Sequence, residues 1–252
     1  MRPLQTDLSI FKKFNFEKPP VGVKYEFHKP EGIKQLDKSL ALCEMLPEAQ
    51  QRGTPFYFTK ENESCFGKEA LGMTGESTEL VDGGLLGVKF EIFKEPHANS
   101  RLRRFIHNLE KGAVNYVALS PIDKLTFEPD LLIITATPSQ AEILLRAMTY
   151  STGEMYESKI TSIGGCSWLF GYPFLSGKVN YMVTGLAFGM KGRQALPDGW
   201  LLISIPYNWI PTIAQNLGEM KWVLTAYTLS RENFEQYEQQ TLRELAQECQ
   251  NP

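Results

Sequence analysis

The sequence predicts a protein of the α/β (or α+β) class, a single domain over residues 1–252 with a mixed sheet and flanking helices. Three observations carry this. Residues 116–119 and 131–136 are short, continuous apolar runs of the kind that form buried strands. Helix-period segments alternate with them along the chain. A strand–proline–helix plan occurs at 131–150 and again at 200–217, which points to partly parallel pairing.

The elements follow in order. Residues 4–14 read as a short amphipathic helix, with Leu4, Leu8 and Phe11 on one face. Pro19-Pro20 ends it, and 21–27 alternates as a strand. A helical run follows from about Cys43 to Gly53, and Pro47 inside it requires either a helix starting near Cys43 or a kink there. Residues 56–59 form a strand, and Cys65-Phe66-Gly67 opens a short helix closed by Gly72. The glycine-rich stretch 74–87 is expected to move and is the best candidate boundary, although one domain is the preferred reading. Residues 88–93 read as a strand, and 98–109 as a helix with Leu102, Phe105, Ile106 and Leu109 inward.

Thr137-Pro138-Ser139-Gln140 is the strongest local signal. Threonine caps a helix, proline fits its first position and glutamine completes a capping box, so a helix is predicted to about Tyr150. Residues 180–184 form a strand placed beside 200–205. Ser230 caps a final helix with Phe234, Tyr237, Leu242, Leu245 and Cys249 near one face.

Composition excludes several function classes. A net charge of −3 and no long Lys/Arg run supply no field for nucleic acid or an acidic membrane surface. No apolar stretch approaches the roughly 18–20 residues of a membrane helix, and the N-terminus lacks a secretory apolar core. Four cysteines without tight pairing are not a disulfide scaffold. A reduced, cytoplasmic protein is the expectation. G-x-G-x-x-G, H-E-x-x-H, G-x-S-x-G and the P-loop pattern are all absent. Nothing in the sequence settles whether the protein is an enzyme, or its oligomeric state.

Chemistry concentrates at the cysteines. Cys43, Cys65 and Cys166 each sit at a punctuated turn, Cys166 within Gly164-Gly165-Cys166-Ser167-Trp168. Thiolates bind soft metals and iron–sulfur clusters, and three leave one iron of a cubane open to another ligand. Nearby glycines let backbone N–H groups approach sulfur. No C-x-x-C occurs, and 21 and then 100 residues intervene, so a shared site exists only if the fold makes one. The alternative is that the cysteines are small buried hydrophobes. Cys249 belongs to the final helix and is set aside.

With these cysteines, several other stretches resemble a prokaryotic family known only as domain of unknown function 169. They are Pro20-Val21-Gly22-Val23-Lys24, Cys43-Glu44-Met45, Thr54-Pro55-Phe56-Tyr57-Phe58-Thr59 and Pro129-Asp130. Gly189-Met190-Lys191-Gly192-Arg193, Asp198 and Ile205-Pro206 belong to the same pattern. The resemblance spans most of the chain, while Pro47 is unusual within it. It implies a bacterial or archaeal protein, with many anaerobes among the sources, and makes a metal or iron–sulfur role the first expectation, with Cys43, Cys65 and Cys166 as ligands.

A second reading needs no cofactor. Gly189, Lys191, Gly192 and Arg193 combine backbone N–H groups and cations, a composition that can grip a small anionic ligand. The competing reading is a solvated turn. Trp168, Phe170, Tyr172 and Phe174 read as a core strand wall, or as the dry wall of a site at Cys166. His97, Arg101, Arg104 and Asn108 fall on one helical stripe whose ordinary role is the wet face.

Overall fold

Strand β1 (Val21–Glu26) lies inside the sheet because both of its edges are paired. It runs antiparallel to β4 (Tyr116–Pro121) on one side and β5 (Leu131–Ala136) on the other. With β2 (Lys34–Gln35), β3 (Phe56–Phe58), β6 (Asn180–Val183) and β7 (Leu201–Pro206), the computed structural model forms a seven-stranded mixed sheet in the order β2-β3-β4-β1-β5-β7-β6. It describes residues 1–75 and 83–250. Half of the glycine-rich stretch expected to move, residues 76–82, lies outside the described residues.

The fold is α/β, with helices flanking the sheet. Parallel pairing among the described strands is confined to β2 and β3; the strands of the two strand–proline–helix units, β5 and β7, pair antiparallel. Residues 180–184 supply β6, which does lie beside β7.

Strand alternation sorts the core into two faces. Val21, Val23, Val117, Leu119, Leu131, Ile133 and Leu202 join one apolar cluster with α1 (Leu42–Arg52) and the segment Trp168–Phe170. Helix α5 (Pro138–Thr149) packs on β5 and β7, and none of its buried side chains belongs to that cluster, which places it on the other face. Its start follows the capping-box expectation. The Gln140 N–H donates to Thr137 Oγ1 at 3.3 Å and the Thr137 N–H donates to Gln140 Oε1 at 3.0 Å.

Several expectations are corrected. Residues 9–14 form a 3-10 turn in place of a longer helix. In place of the strand expected at 88–93 the chain forms a short helix, α3 (Leu85–Lys89), and a turn; Leu86, Phe90 and Ile92 line a cavity described below. Helix α4 (Pro96–Arg103) ends six residues early, because the N–H groups of Arg104, Phe105 and Ile106 bond three residues back. Phe105 therefore swings out and is exposed rather than inward. The aromatics after Cys166 form a π-helical turn (Ser167–Gly171) and helix α6 (Tyr172–Ser176), not a strand, with Trp168, Phe170 and Tyr172 in the core.

The chain divides into two compact units, Met1–Gly218 and Glu219–Pro252. The second carries helix α9 (Arg231–Gln250), where the Asn233 N–H donates to Ser230 Oγ and the apolar residues Phe234, Tyr237, Leu242 and Leu245 are exposed. Among the described residues, no helix is long and apolar enough to cross a membrane.

Candidate functional site

The structure brings Cys43, Cys65 and Cys166 to the wall of one cavity of about 260 Å³. Two arms of the chain deliver them. In the first arm, Cys43 is the second residue of α1 and Cys65 precedes helix α2 (Gly67–Ala70). Glu63, only 2% exposed, ties them together. Its Oε1 accepts from the Leu42 N–H at 2.9 Å, and its Oε2 accepts from the N–H groups of Cys65 at 2.9 Å and Lys68 at 3.2 Å. One buried side chain thus satisfies donors at the starts of two helices, which would otherwise be orphaned. Gly67 is required for that proximity: a Cβ there would lie 2.5 Å from Leu42 Cβ and 2.8 Å from Glu63 Oε1. Helix α1 begins at Cys43's neighbour Leu42 and contains Pro47, which has no N–H to offer the Cys43 carbonyl four residues back.

The second arm carries Cys166. The π-helical turn that follows it is anchored to the sheet through its carbonyls. Asn180 Nδ2 donates to the Trp168 carbonyl at 2.8 Å, and the Tyr25 hydroxyl donates to the Phe170 carbonyl at 2.9 Å. Ser167 Oγ donates to Asn108 Oδ1 at 2.7 Å. Single π-helical turns recur at functional sites, where they aim side chains that a regular helix would point elsewhere. Gly165 lets this arm touch helix α7 (Phe188–Gly192), since a Cβ there would fall 2.7 Å from that of Ala187.

The thiols differ in proton affinity. A hydrogen bond from the Cys166 thiol to the Cys43 sulfur holds Cys43 below the usual thiol range, with Arg193 acting in the same sense. The same bond, followed by burial, holds the Cys166 proton well above that range. Burial raises Cys65, against a hydrogen bond from the Phe66 N–H. Cys43 is therefore the first of the three to become a thiolate. Among the described residues, no three His, Cys, Asp or Glu side chains are placed to hold one metal ion. The sulfurs share a wall without closing on a single point.

The glycine–lysine–arginine segment divides at this cavity. Gly189 and Arg193 line it, so the two sites read separately in the sequence have a common wall. Lys191 is exposed, 3.7 Å from Asp198, and neither it nor Gly192 lines the cavity. The Lys191 and Arg193 N–H groups are engaged with the carbonyls of Ala187 and Gly189. Arg193 lies 3.8 Å from Glu44. Trp168, Phe170, Tyr172 and Phe174 do not line the cavity; its apolar wall comes from Leu86, Phe90, Ile106, Phe188 and Met190. The His97 stripe is also split, with Asn108 on the cavity wall and His97 at the surface 3.0 Å from Glu95. Cys249 is exposed on α9.

Sequence reasoning passed over Glu63, Asn99 and Arg103. Nothing local separates a polar residue that will be buried from one that stays wet, and only the alternation of Arg101, Arg103 and Arg104 around α4 offered a hint.

A fold of this kind, with a cysteine-lined cavity beside a mixed sheet, defines a class before it defines a function. The chain belongs to the DUF169 family, described as uncharacterised ArCR, whose model matches residues 9–216. That span falls within the first compact unit. The chain is also similar to an uncharacterized protein, MJ0308, of Methanocaldococcus jannaschii, with 28% identity over 151 residues that cover 58% of this chain and 64% of that protein. The alignment thus reaches less than two thirds of the relative's length. No solved structure matches the chain.

Proposed function

We propose that the protein holds an iron–sulfur cluster on Cys43, Cys65 and Cys166 in a reducing, cytoplasmic setting. The observation that carries this reading is the shared wall. Three cysteines separated by 21 and 100 residues line one cavity. A purely structural role for free cysteines, as small hydrophobes, gives no reason for them to gather.

A cluster fits this wall better than a single ion. One ion draws every sulfur to a common point, at about 2.3 Å for zinc, and no such trio is in place. In a cluster each thiolate binds a different iron, so the sulfurs need only face a common space. Cys43, whose thiolate is favoured by Cys166 and Arg193, is the first ligand ready to bind. Arg193 offsets part of the negative charge that gathered thiolates create. The apolar side chains of Leu86, Ile106, Phe188 and Met190 limit water at the site. When bound, such a cluster supplies electron transfer or, at an iron without a cysteine ligand, Lewis-acid chemistry. Four free cysteines, three of them on the wall of one cavity, agree with a reducing compartment.

The test is anaerobic purification with reconstitution by iron and sulfide, followed by an absorption spectrum and metal analysis. A brown wild type containing iron and sulfide, with Cys65→Ala folded but unable to retain them, is the expected result. A folded wild type that stays colourless and metal-free after reconstitution overturns the reading.

A further inference from the structure

The cavity lined by the cysteines takes part of its wall from α3 and α4, and a cation stands in that part without a partner. A glycine permits the two helices to meet: a Cβ at Gly87 would lie 2.5 Å from the Phe93 ring and 2.8 Å from Asn99 Nδ2. Asn99 then clamps them, its Nδ2 donating to the Gly84 carbonyl at 3.1 Å. With the helices held together, Leu86 and Phe90 from one side and Arg103 from the other line the same space.

Arg103 is the last residue of α4 and is half-buried. Among the described residues its guanidinium makes no ion pair and no hydrogen bond. A cation in the last turn suits the helix dipole, which accounts for Arg101 as well. The dipole gives no reason for Arg103 to line a cavity while Arg101 stays exposed outside it. Arg193, the other cation on the wall, is by contrast 3.8 Å from Glu44. The Arg103 fork therefore offers five N–H donors to a partner that brings acceptors. A carboxylate matches such a fork with two parallel bonds, and apolar surroundings strengthen the pair beyond its worth in water.

The surroundings here are apolar. Leu86, Ile106 and Met190 line the cavity, and the rings of Phe90 and Phe188 stand 5.1 Å apart on its wall. Both rings are about half exposed, at 49% and 42%, so they stand where the cavity opens. The volume of about 260 Å³ lies just below the roughly 300–1,000 Å³ of cavities for drug-sized ligands. The occupant is therefore small.

We propose that the cavity binds a small apolar carboxylate, an aryl or branched alkanoate, through Arg103. The carboxylate pairs with the guanidinium, and the hydrocarbon body lies against the apolar wall and the Phe90 and Phe188 rings. The site shares its cavity with the proposed cluster but stands on Arg103 rather than on the cysteines.

Three probes separate charge from body: phenylacetate, phenylacetamide, which has nearly the same shape without the charge, and acetate, which has the charge without the ring. Calorimetric titration of wild type is expected to rank phenylacetate about 10-fold or more tighter than phenylacetamide, as befits a hydrogen bond to a charged group. Acetate should not saturate the protein at concentrations where phenylacetate does. Arg103→Met, which keeps an apolar stem, should bring phenylacetate down to the affinity of the amide, while the exposed Arg104→Met should leave the ranking intact. The wild-type ranking stands as a test even if Arg103→Met fails to fold. It should persist in Cys65→Ala, so loss of the cluster and loss of this site read out separately. An amide that binds as tightly as phenylacetate, acetate that binds as tightly as phenylacetate, or no saturable binding of any probe overturns the proposal. So does a preference for charge that survives Arg103→Met.

Discussion

Two parts of the cavity wall are built on opposite plans. Around the first cysteine arm polar groups are satisfied from within: Glu63 takes three backbone donors. Elsewhere on the wall Asn99 Oδ1 has no hydrogen-bond partner among the described residues, and two aromatic rings stay half exposed. A self-satisfied wall holds its side chains in place before anything arrives, whereas an unmet acceptor is a cost the folded chain carries alone. The difference teaches that one stretch of the wall is held from within while another leaves a polar atom unmet, and that the two should respond differently to substitution.

The largest effect is expected at Glu63. Replacing it with alanine strands the buried N–H group of Leu42 and the half-buried ones of Cys65 and Lys68 and should lower the unfolding free energy by about 3 kcal/mol. Asn99→Leu, which removes an orphan acceptor together with one hydrogen bond, should change it by no more than about 1 kcal/mol. Urea unfolding of both variants breaks the comparison if the two losses are equal.

A smaller loss is expected from Gly67→Ala. The added methyl meets Leu42 and Glu63 inside ordinary contact distance, an overpacking that costs about 1–3 kcal/mol. Thermal unfolding beside a glycine with open space, such as Gly218→Ala on α8 (Ile210–Glu219), isolates that contact.

The pH dependence of the metal-free protein follows from the thiols. Cys65, Cys166 and the buried Tyr25 hydroxyl all titrate above their ordinary values, through burial for Cys65 and Tyr25 and chiefly through the Cys43 contact for Cys166. Their folded forms hold protons more tightly than the unfolded chain. The stability they contribute is full below the unfolded thiol value of about 8.5 and is lost as pH rises. Cys43 has the opposite sign: its contribution is present above the unfolded value and is lost as pH falls through the folded one. With the raised groups in the majority, the urea midpoint should decline as pH climbs past about 8.5. A midpoint that holds or rises would contradict this assignment of protons.

The finest test is electrostatic. Arg193→Met should raise the titration of Cys43 and Cys65, both of which its charge lowers. Lys191→Met, two residues away and directed at Asp198, should leave both unchanged. Alkylation rates of each cysteine against pH, followed by mass spectrometry, separate the two cations of one short helix.

Much of the fold was legible because its signals are local. The capping box at Thr137 requires only neighbours within one helical turn, and the apolar runs of β1, β4, β5 and β7 announce buried strands. Where a signal was ambiguous, the structure chose. Residues 88–93 carry too few residues for apolar spacing to separate strand from helix. Past Arg103, helical periodicity persists in the sequence after the backbone has turned away. Of the candidate site, the turn cysteines and Arg193 were visible as residue types in unusual settings. Glu63 and Asn99 were not, since burial of a polar side chain depends on what folds over it.

By itself the sequence determined the long buried strands, the caps and the glycines that flank the cysteines, because backbone preference and side-chain period act over a few residues. Only the tertiary structure decided that Cys43, Cys65 and Cys166 face one space, that Arg193 joins them while Lys191 turns away, and that Asn99 lines the same cavity. Those placements depend on strand order, which gathers segments as far apart as Cys65 and Cys166, with 100 residues between them, and on the close packing that Gly67 permits against Leu42 and Gly165 against Ala187. No local rule carries information over that distance.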